Sequence, residues 1–286
     1  MSTAEHGRIH QIIEDALRED AGMGDITGDA TITEDARGVA EFLCKEPGTI
    51  AGLDVAALVF QYCDATATFG PRYEDGAAVT AGEIIAVVSG SARGMLKAER
   101  TALNLLQRMS GIATTTRRYV EAVQGTGARI TDTRKTVPGL RVLDKAAVRA
   151  GGGVNHRFGL DDMVLIKDNH IASAGGITEA VRRCNAYLEV HGLRLAVEVE
   201  TTSLAQVREA LACTGITRIM LDNFDLAAMR EAVELIGHRV EVEASGGITL
   251  ETIRPVAETG VDLISVGALT HSVRALDISL DFVSQV

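Results

Sequence analysis

The sequence has no Trp, and aromatic residues make up only 3% of its 286 positions, so its core is expected to be aliphatic. Pro is scarce, at 4 against 29 Gly. That balance suits many tight turns between strands and helices rather than disordered linkers. Cys44, Cys63, Cys184 and Cys213 show no CxxC or CxxH spacing. They read as buried free thiols in a reducing compartment, not as metal ligands or a redox pair. No apolar run reaches the roughly 18 residues of a membrane span, so no membrane partner is expected. Residues 1–20 lack a basic start followed by an apolar stretch, so no signal peptide is expected and the cytoplasm is the predicted location. A P-loop, a nucleophile elbow and HExxH are missing, and GTGARI at 125–130 lacks the third Gly of a dinucleotide fingerprint. A formal charge of −11 argues against nucleic acid as the main partner.

What is present is an aliphatic, globular composition: 46% hydrophobic, mean hydropathy +0.14, enough for one large domain or two smaller ones. One stretch breaks the acidic balance. Residues 131–170 hold Arg134, Lys135, Arg141, Lys145, Arg149, Arg157 and Lys167 against five Asp, so this segment is +2 and the remainder −13. It also contains His156 and His170. Such a cationic island suits an anionic small molecule.

The first half is mixed. Ile9, Ile12, Ile13, Ala16 and Leu17 have helical spacing. Residues 38–45 alternate as a half-buried strand, and 53–62 return to helix. Two short strands are expected between 73 and 89, then a helix over 93–109 and a second over 113–123. After Gly127 short apolar runs alternate with helical segments. The runs are 163–166, 195–199, 218–222, 240–244 and 263–267, with 129–132 before them. Repeated βα units predict a parallel sheet covered by helices. A barrel is favoured over a doubly wound sheet.

Barrel chemistry sits at the C-terminal ends of strands. Those ends are polar here: Asp132, Arg134 and Lys135; Lys167; Glu198 and Glu200; Asp222; Ser245, Gly246 and Gly247; Gly267 and Ala268. Glycine loops after the last two strands suit phosphate, because backbone can approach closely and helix-start N–H groups face the anion. Pro255 leaves open whether the helix after the first of these loops begins late. Glu198 and Asp222 suit ribose hydroxyls or a divalent ion, or salt bridges to Lys135 or Lys167. His156 and Arg157 follow three glycines inside the cationic island and suit a carboxylate.

Eight motifs run in order along the chain: ERTALNLLQRMSGIAT (99–114), DTRKTVPGLR (132–141), GGGVNHRFGLDD (151–162), LIKDNHI (165–171), VEVE (197–200), MLDNF (220–224), EASGGI (243–248) and ISVGALTHS (264–272). On these the sequence resembles the quinolinate phosphoribosyltransferase family. The resemblance implies an α/β protein with an N-terminal α/β sandwich domain (1–112) and an incomplete (β/α) barrel of the type II phosphoribosyltransferase kind (113–272). A C-terminal helix, 273–286, is expected to pack on the first domain.

The resemblance also implies a reaction: phosphoribosyl passes from phosphoribosyl diphosphate to quinolinate, with decarboxylation, yielding nicotinate mononucleotide, CO₂ and pyrophosphate in NAD biosynthesis. Arg134, His156, Arg157 and a dimer partner's Arg100 would grip the acceptor's carboxylates. Lys135 and Lys167 would neutralise carboxylate or pyrophosphate charge, with Thr133 beside them. Ser245–Gly247 and Val266, Gly267 and Ala268 would cradle the 5′-phosphate. Glu198 and Asp222 would hold the ribose hydroxyls and Mg²⁺. Lys135, Lys167, Glu198 and Asp222 are thus the catalytic candidates. Three alternatives stay open: a related molybdate-operon-associated protein, a Schiff-base barrel aldolase using Lys167, and a non-catalytic phosphate-binding protein.

Overall fold

The computed structural model describes residues 3–285. In chain order the elements begin with α1 (Thr3–Ala21), α2 (Ile26–Thr31), β1 (Arg37–Cys44), β2 (Gly48–Thr49) and α3 (Leu53–Cys63). They continue with β3 (Thr68–Pro71), β4 (Ala78–Val79), β5 (Ile84–Ser91), α4 (Ala92–Ala122), β6 (Arg129–Thr131) and α5 (Arg141–Ala150). Next come β7 (Val164–Ile166), α6 (Asp168–Ala174), α7 (Ile177–Val190), β8 (Val197–Thr201), α8 (Leu204–Ala212) and β9 (Arg218–Asp222). The chain closes with α9 (Leu226–Ile236), β10 (Glu241–Ser245), α10 (Ile253–Ala257), β11 (Leu263–Ser265), α11 (Ala268–His271) and β12 (Ile278–Gln285). Among the described residues no helix is long and apolar enough to cross a membrane.

Two compact units result. The first takes the chain to Arg117, then Lys135–Gly152 and everything from Ala268; the second takes Arg118–Arg134 and Gly153–Gly267. These units cross the expected boundaries at 112 and 272. Residues 135–152 join the first unit because α5 is tied to α4: Arg108 donates to both oxygens of Asp144, at 2.9 and 2.8 Å, and Asp144 is fully buried.

In the first unit an antiparallel sheet runs β12-β1-β5-β3. The expected C-terminal helix over 273–286 is instead β12, paired along the length of β1. Residues 278–282 read Ile-Ser-Leu-Asp-Phe, an alternation that lets one face pack inward on the sheet, as Ile278 and Leu280 do. The sparse aromatics gather here. Phe42 stands edge-on to Phe60 and Phe69, with ring centroids 5.8 and 5.6 Å away, so this core is less purely aliphatic than composition suggested.

The two helices expected over 93–123 are one, α4. Gly111 does not break it. A Cβ there would strike the backbone carbonyl of Arg274, so glycine lets that segment lie against the helix.

In the second unit six strands are parallel, in the order β6-β11-β10-β9-β8-β7. The order is cyclic: the first strand pairs with the last, and the gap falls between β6 and β7. This is an incomplete barrel, not a doubly wound sheet. The Pro255 question is also answered. α10 begins late, at Ile253, so Pro255 lies in its first turn, where a missing N–H leaves no bond unmade.

Glycine substitutions should move stability in opposite directions. Gly111→Ala should lose about 1–3 kcal/mol from overpacking against Arg274, despite better helix propensity. Gly7→Ala on α1, where a Cβ meets nothing, should gain about 0.5–1 kcal/mol. Thermal unfolding of both variants checks the pair.

Candidate active site

Strand register sorts the polar residues of the second unit by depth. Successive side chains on a strand face opposite ways, so Glu198 and Glu200 share one face of β8, as do Arg218, Met220 and Asp222 on β9 and Glu241, Glu243 and Ser245 on β10. Glu198 pairs with Arg218, Glu200 with Met220, and Asp222 with Ser245. Glu200, Asp222 and Ser245 therefore lie nearer the C-terminal rim than Glu198 does.

This depth sets Glu198 apart from the rim. It is the second residue of its strand and is fully buried. Its Oε2 lies 3.1 Å from His156 Nε2 and 3.9 Å from Arg218 Nη1. With His156 and Glu243 it forms a buried group whose ligand atoms lie within 4.8 Å of one another, close enough to hold a metal ion. Glu200, two residues on, remains partly open and pairs with Lys167 at 3.1 Å. The alternation pointed to both glutamates, but the strand's true start, at Val197, was needed to choose between them.

His156 also differs from its expected part. It is buried, with Nε2 between Glu198 and Glu243 Oε2, the latter 3.3 Å away. Burial alone favours the neutral ring, but the two carboxylates outweigh it and push the pKa up to about 9. Nδ1 accepts the Arg157 main-chain N–H at 2.8 Å. Asp132, fully buried at the end of β6, takes the His156 main-chain N–H at 2.9 Å and the Asn155 amide at 2.6 Å. His156 is thus committed to holding its loop, and Glu243 and Arg218, which carried no signal in the sequence reading, are its neighbours.

Arg157 emerges half-buried from that loop, with Nη1 donating to the Met163 carbonyl at 3.2 Å. Burial pulls its pKa below the ordinary guanidinium value and nearby Arg134 adds to this, while Glu198 and Asp162 oppose it. Two neighbouring guanidiniums, one desolvated, favour an anion between them. Lys167 is exposed at the end of β7, its main-chain N–H donating to His170 Nδ1 at 2.9 Å. His170 is therefore a helix cap.

The cationic island divides. Lys145 is buried and Arg149 faces Glu5 at 3.8 Å, both in the first unit on α5. Arg100, Lys135 and Ala268 also belong to the first unit, with the Lys135 carbonyl accepting from Thr270 Oγ1 at 2.8 Å. The second unit gathers Thr133, Arg134, His156, Arg157, Lys167, Glu198, Asp222, Ser245, Gly246, Gly247, Val266 and Gly267. Gly246 is obligatory: its φ is +107° and a Cβ would strike the Asn223 side chain. Val266 is buried and its N–H donates to the Thr131 carbonyl at 3.0 Å, so it is not a phosphate donor.

Asp222 is half-buried at its strand end, accepting from Asn223 Nδ2 at 2.7 Å. With Glu200 it offers the oxygen ligands that a hard divalent cation takes.

An α/β sandwich and an incomplete parallel barrel in one chain, with cations and carboxylates at the barrel's strand ends, define a phosphoribosyltransferase. The comparisons make the class specific. Residues 25–110 match the family "Quinolinate phosphoribosyl transferase, N-terminal domain" and residues 112–281 its C-terminal domain. The chain is 49% identical to a Nicotiana tabacum mitochondrial quinolinate phosphoribosyltransferase [decarboxylating], over 94% of this chain and 80% of that protein. It is 46% identical to a Mycobacterium leprae nicotinate-nucleotide pyrophosphorylase [carboxylating], over 98% and 99%. NadC from Streptococcus pyogenes superposes with a TM-score of 0.91 at 40% identity, covering 96% of this chain and 97% of that one. The chain belongs to the quinolinate phosphoribosyl transferase family.

The two glutamates of β8 should separate in stability. Glu198→Ala leaves buried partners uncompensated and should lose about 3–5 kcal/mol. Glu200→Ala removes a partly open pair and should lose no more than about 1 kcal/mol. Urea denaturation measures both, and the reverse order would exchange their places.

Proposed function

We propose that this protein transfers phosphoribosyl from phosphoribosyl diphosphate to quinolinate with loss of CO₂, giving nicotinate mononucleotide and pyrophosphate for NAD biosynthesis. The observation that carries the site assignment is the Arg134–Arg157 neighbourhood at the rim of a barrel whose other strand ends bear Glu200 and Asp222. A planar dicarboxylate answers two guanidinium forks, and a ribose answers two carboxylates. Lys167, paired with Glu200 at 3.1 Å, suits charge neutralisation.

In this mechanism Arg134 and Arg157 orient quinolinate so that its ring nitrogen faces C1′. Lys167 offsets anionic charge on the acceptor and on departing pyrophosphate. Glu200 and Asp222 hold the ribose hydroxyls and favour the positive charge that develops on the ribose. The 5′-phosphate meets the loop Ser245–Gly247 and Gly267. Asp222 and Glu200 would hold Mg²⁺, which would supply positive charge to the diphosphate. After transfer the ring nitrogen carries positive charge, and the 2-carboxylate leaves as CO₂ because that nitrogen stabilises the electron pair left on C2, which then takes a proton from water. We further place Arg100, exposed on α4, in the site of a partner subunit of a homodimer, and the enzyme in the cytoplasm, where four free cysteines suit the reducing conditions.

Release of pyrophosphate and CO₂ from the two substrates is the direct assay. Arg157→Ala should lower kcat/KM for quinolinate by about 10²–10³, the loss of one desolvated charge partner. Wild-type kinetics in that variant would remove Arg157 from the site. Inactive Arg100→Ala and Lys167→Ala protomers, once mixed, should regain part of the activity; hybrids that form without recovery would mean the site is not shared.

A further inference from the structure

β9 and β10 end side by side, with Asp222 in register with Ser245. Beyond those ends the chain leaves the sheet through Asn223 on one side and Gly246 and Gly247 on the other. Asn223 has a φ of +57°, in the left-handed region that L side chains rarely adopt. Among the described non-glycine residues only His238 shares this conformation. Asn tolerates it better than most residues, because its short polar side chain can hydrogen-bond locally.

Asn223 makes three such local contacts. Its main-chain N–H donates to the Ser245 carbonyl at 3.0 Å. Its Nδ2 donates to Asp222 Oδ2 at 2.7 Å. Its Oδ1 faces Gly246, so closely that a Cβ on that glycine would strike it. The chemistry agrees with this orientation of the amide: a carboxylate only accepts, so the NH₂ and not the oxygen must face Asp222.

One amide thereby constrains two parts of the rim. A carboxylate at an open strand end is otherwise free to rotate about its side-chain bonds. The bond to Oδ2 fixes the plane of the Asp222 carboxylate and leaves Oδ1 for a ligand. Glu200, on β8, is held by Lys167 instead. Through Gly246 the same amide also limits where the backbone of the loop 245–247 can lie. The carboxylate and the glycine loop are tied to each other through Asn223.

We infer that Asn223 is a positioning residue: it locks the Asp222 carboxylate to the loop 245–247, so that the ribose and the 5′-phosphate of phosphoribosyl diphosphate meet one prearranged unit. This rests on Asp222 and that loop meeting this substrate, as proposed above. Such support of a substrate-facing group by its neighbour is what keeps a site in productive geometry.

Asn223→Gly separates the side chain from the backbone, because Gly adopts the left-handed conformation freely and brings no amide. It should raise KM for phosphoribosyl diphosphate about 10- to 100-fold, while KM for quinolinate changes less than about 2-fold. A residue kept only for its φ would be replaced by Gly without loss, so wild-type kinetics would overturn the inference, as would an equal rise in both constants. Asn223→Asp keeps the shape but sets a second carboxylate against Asp222. It should be the weaker of the two variants toward phosphoribosyl diphosphate, and it serves should the glycine variant fail to fold; wild-type behaviour in it would also overturn the inference. Calorimetric titration with nicotinate mononucleotide reads the same ribose and 5′-phosphate without turnover, since without pyrophosphate it cannot react. The affinity should fall by a similar factor, and an unchanged affinity would overturn the inference. In an Asp222→Ala background, Asn223→Gly should cost less than about 2-fold further affinity for the mononucleotide. A full further loss would mean that Asn223 does not act through Asp222. If instead Asp222 does not meet this substrate, Asp222→Ala alone leaves the mononucleotide affinity unchanged, so the two failures separate.

Discussion

Glu198 and Glu243 are buried inside a parallel sheet, and much of the second unit follows from the cost of keeping them there. A desolvated carboxylate persists only with charge and hydrogen bonds around it. Arg218 comes up between them from the neighbouring strand, and His156 comes down onto them from the loop after α5. Asp132 then fixes that loop's main chain at the end of β6. A purely aliphatic barrel of the same volume would be as stable or more so. What the polar interior supplies is a defined position for the segment that carries Arg157.

This divides labour between two depths. The lower layer is closed to solvent and held by ion pairs among its own members, and the rim is open. Glu200, Asp222, Lys167, Arg134 and Arg157 stand at that rim, on different strand ends. Opposite charges kept on separate strands can each face a different part of an anionic, sugar-bearing substrate pair. The first unit shows the same physics in simpler form: Asp144 is fully buried and is held by a bidentate bond from Arg108.

Much was legible beforehand. The βα alternation after Gly127 gave the parallel sheet, because two-sided burial leaves near-continuous apolar runs such as 218–222, which became β9 residue for residue. The strand-end polar residues gave the rim. Less was legible where a local signal had two outcomes. Residues 93–123 read as two helices, yet they form one, and Gly111 admits the Arg274 backbone to its side. The resemblance implied a C-terminal helix, yet pairing with β1 made the segment a strand, since an edge strand supplies hydrogen bonds that an isolated segment lacks. The cations of residues 131–170 read as one patch, yet Lys145 and Arg149 face structural partners.

The sequence by itself determined the periodicities, the residue types at the strand ends and the family, because these depend on neighbours in the chain. Depth and partnership were decided only by tertiary structure. Glu198 and Glu200 are chemically identical and share one face of one strand. Strand start and register put one among Arg218 and His156 and the other beside Lys167 at the rim. Burial, not residue type, enclosed the first and left the second partly open at the rim.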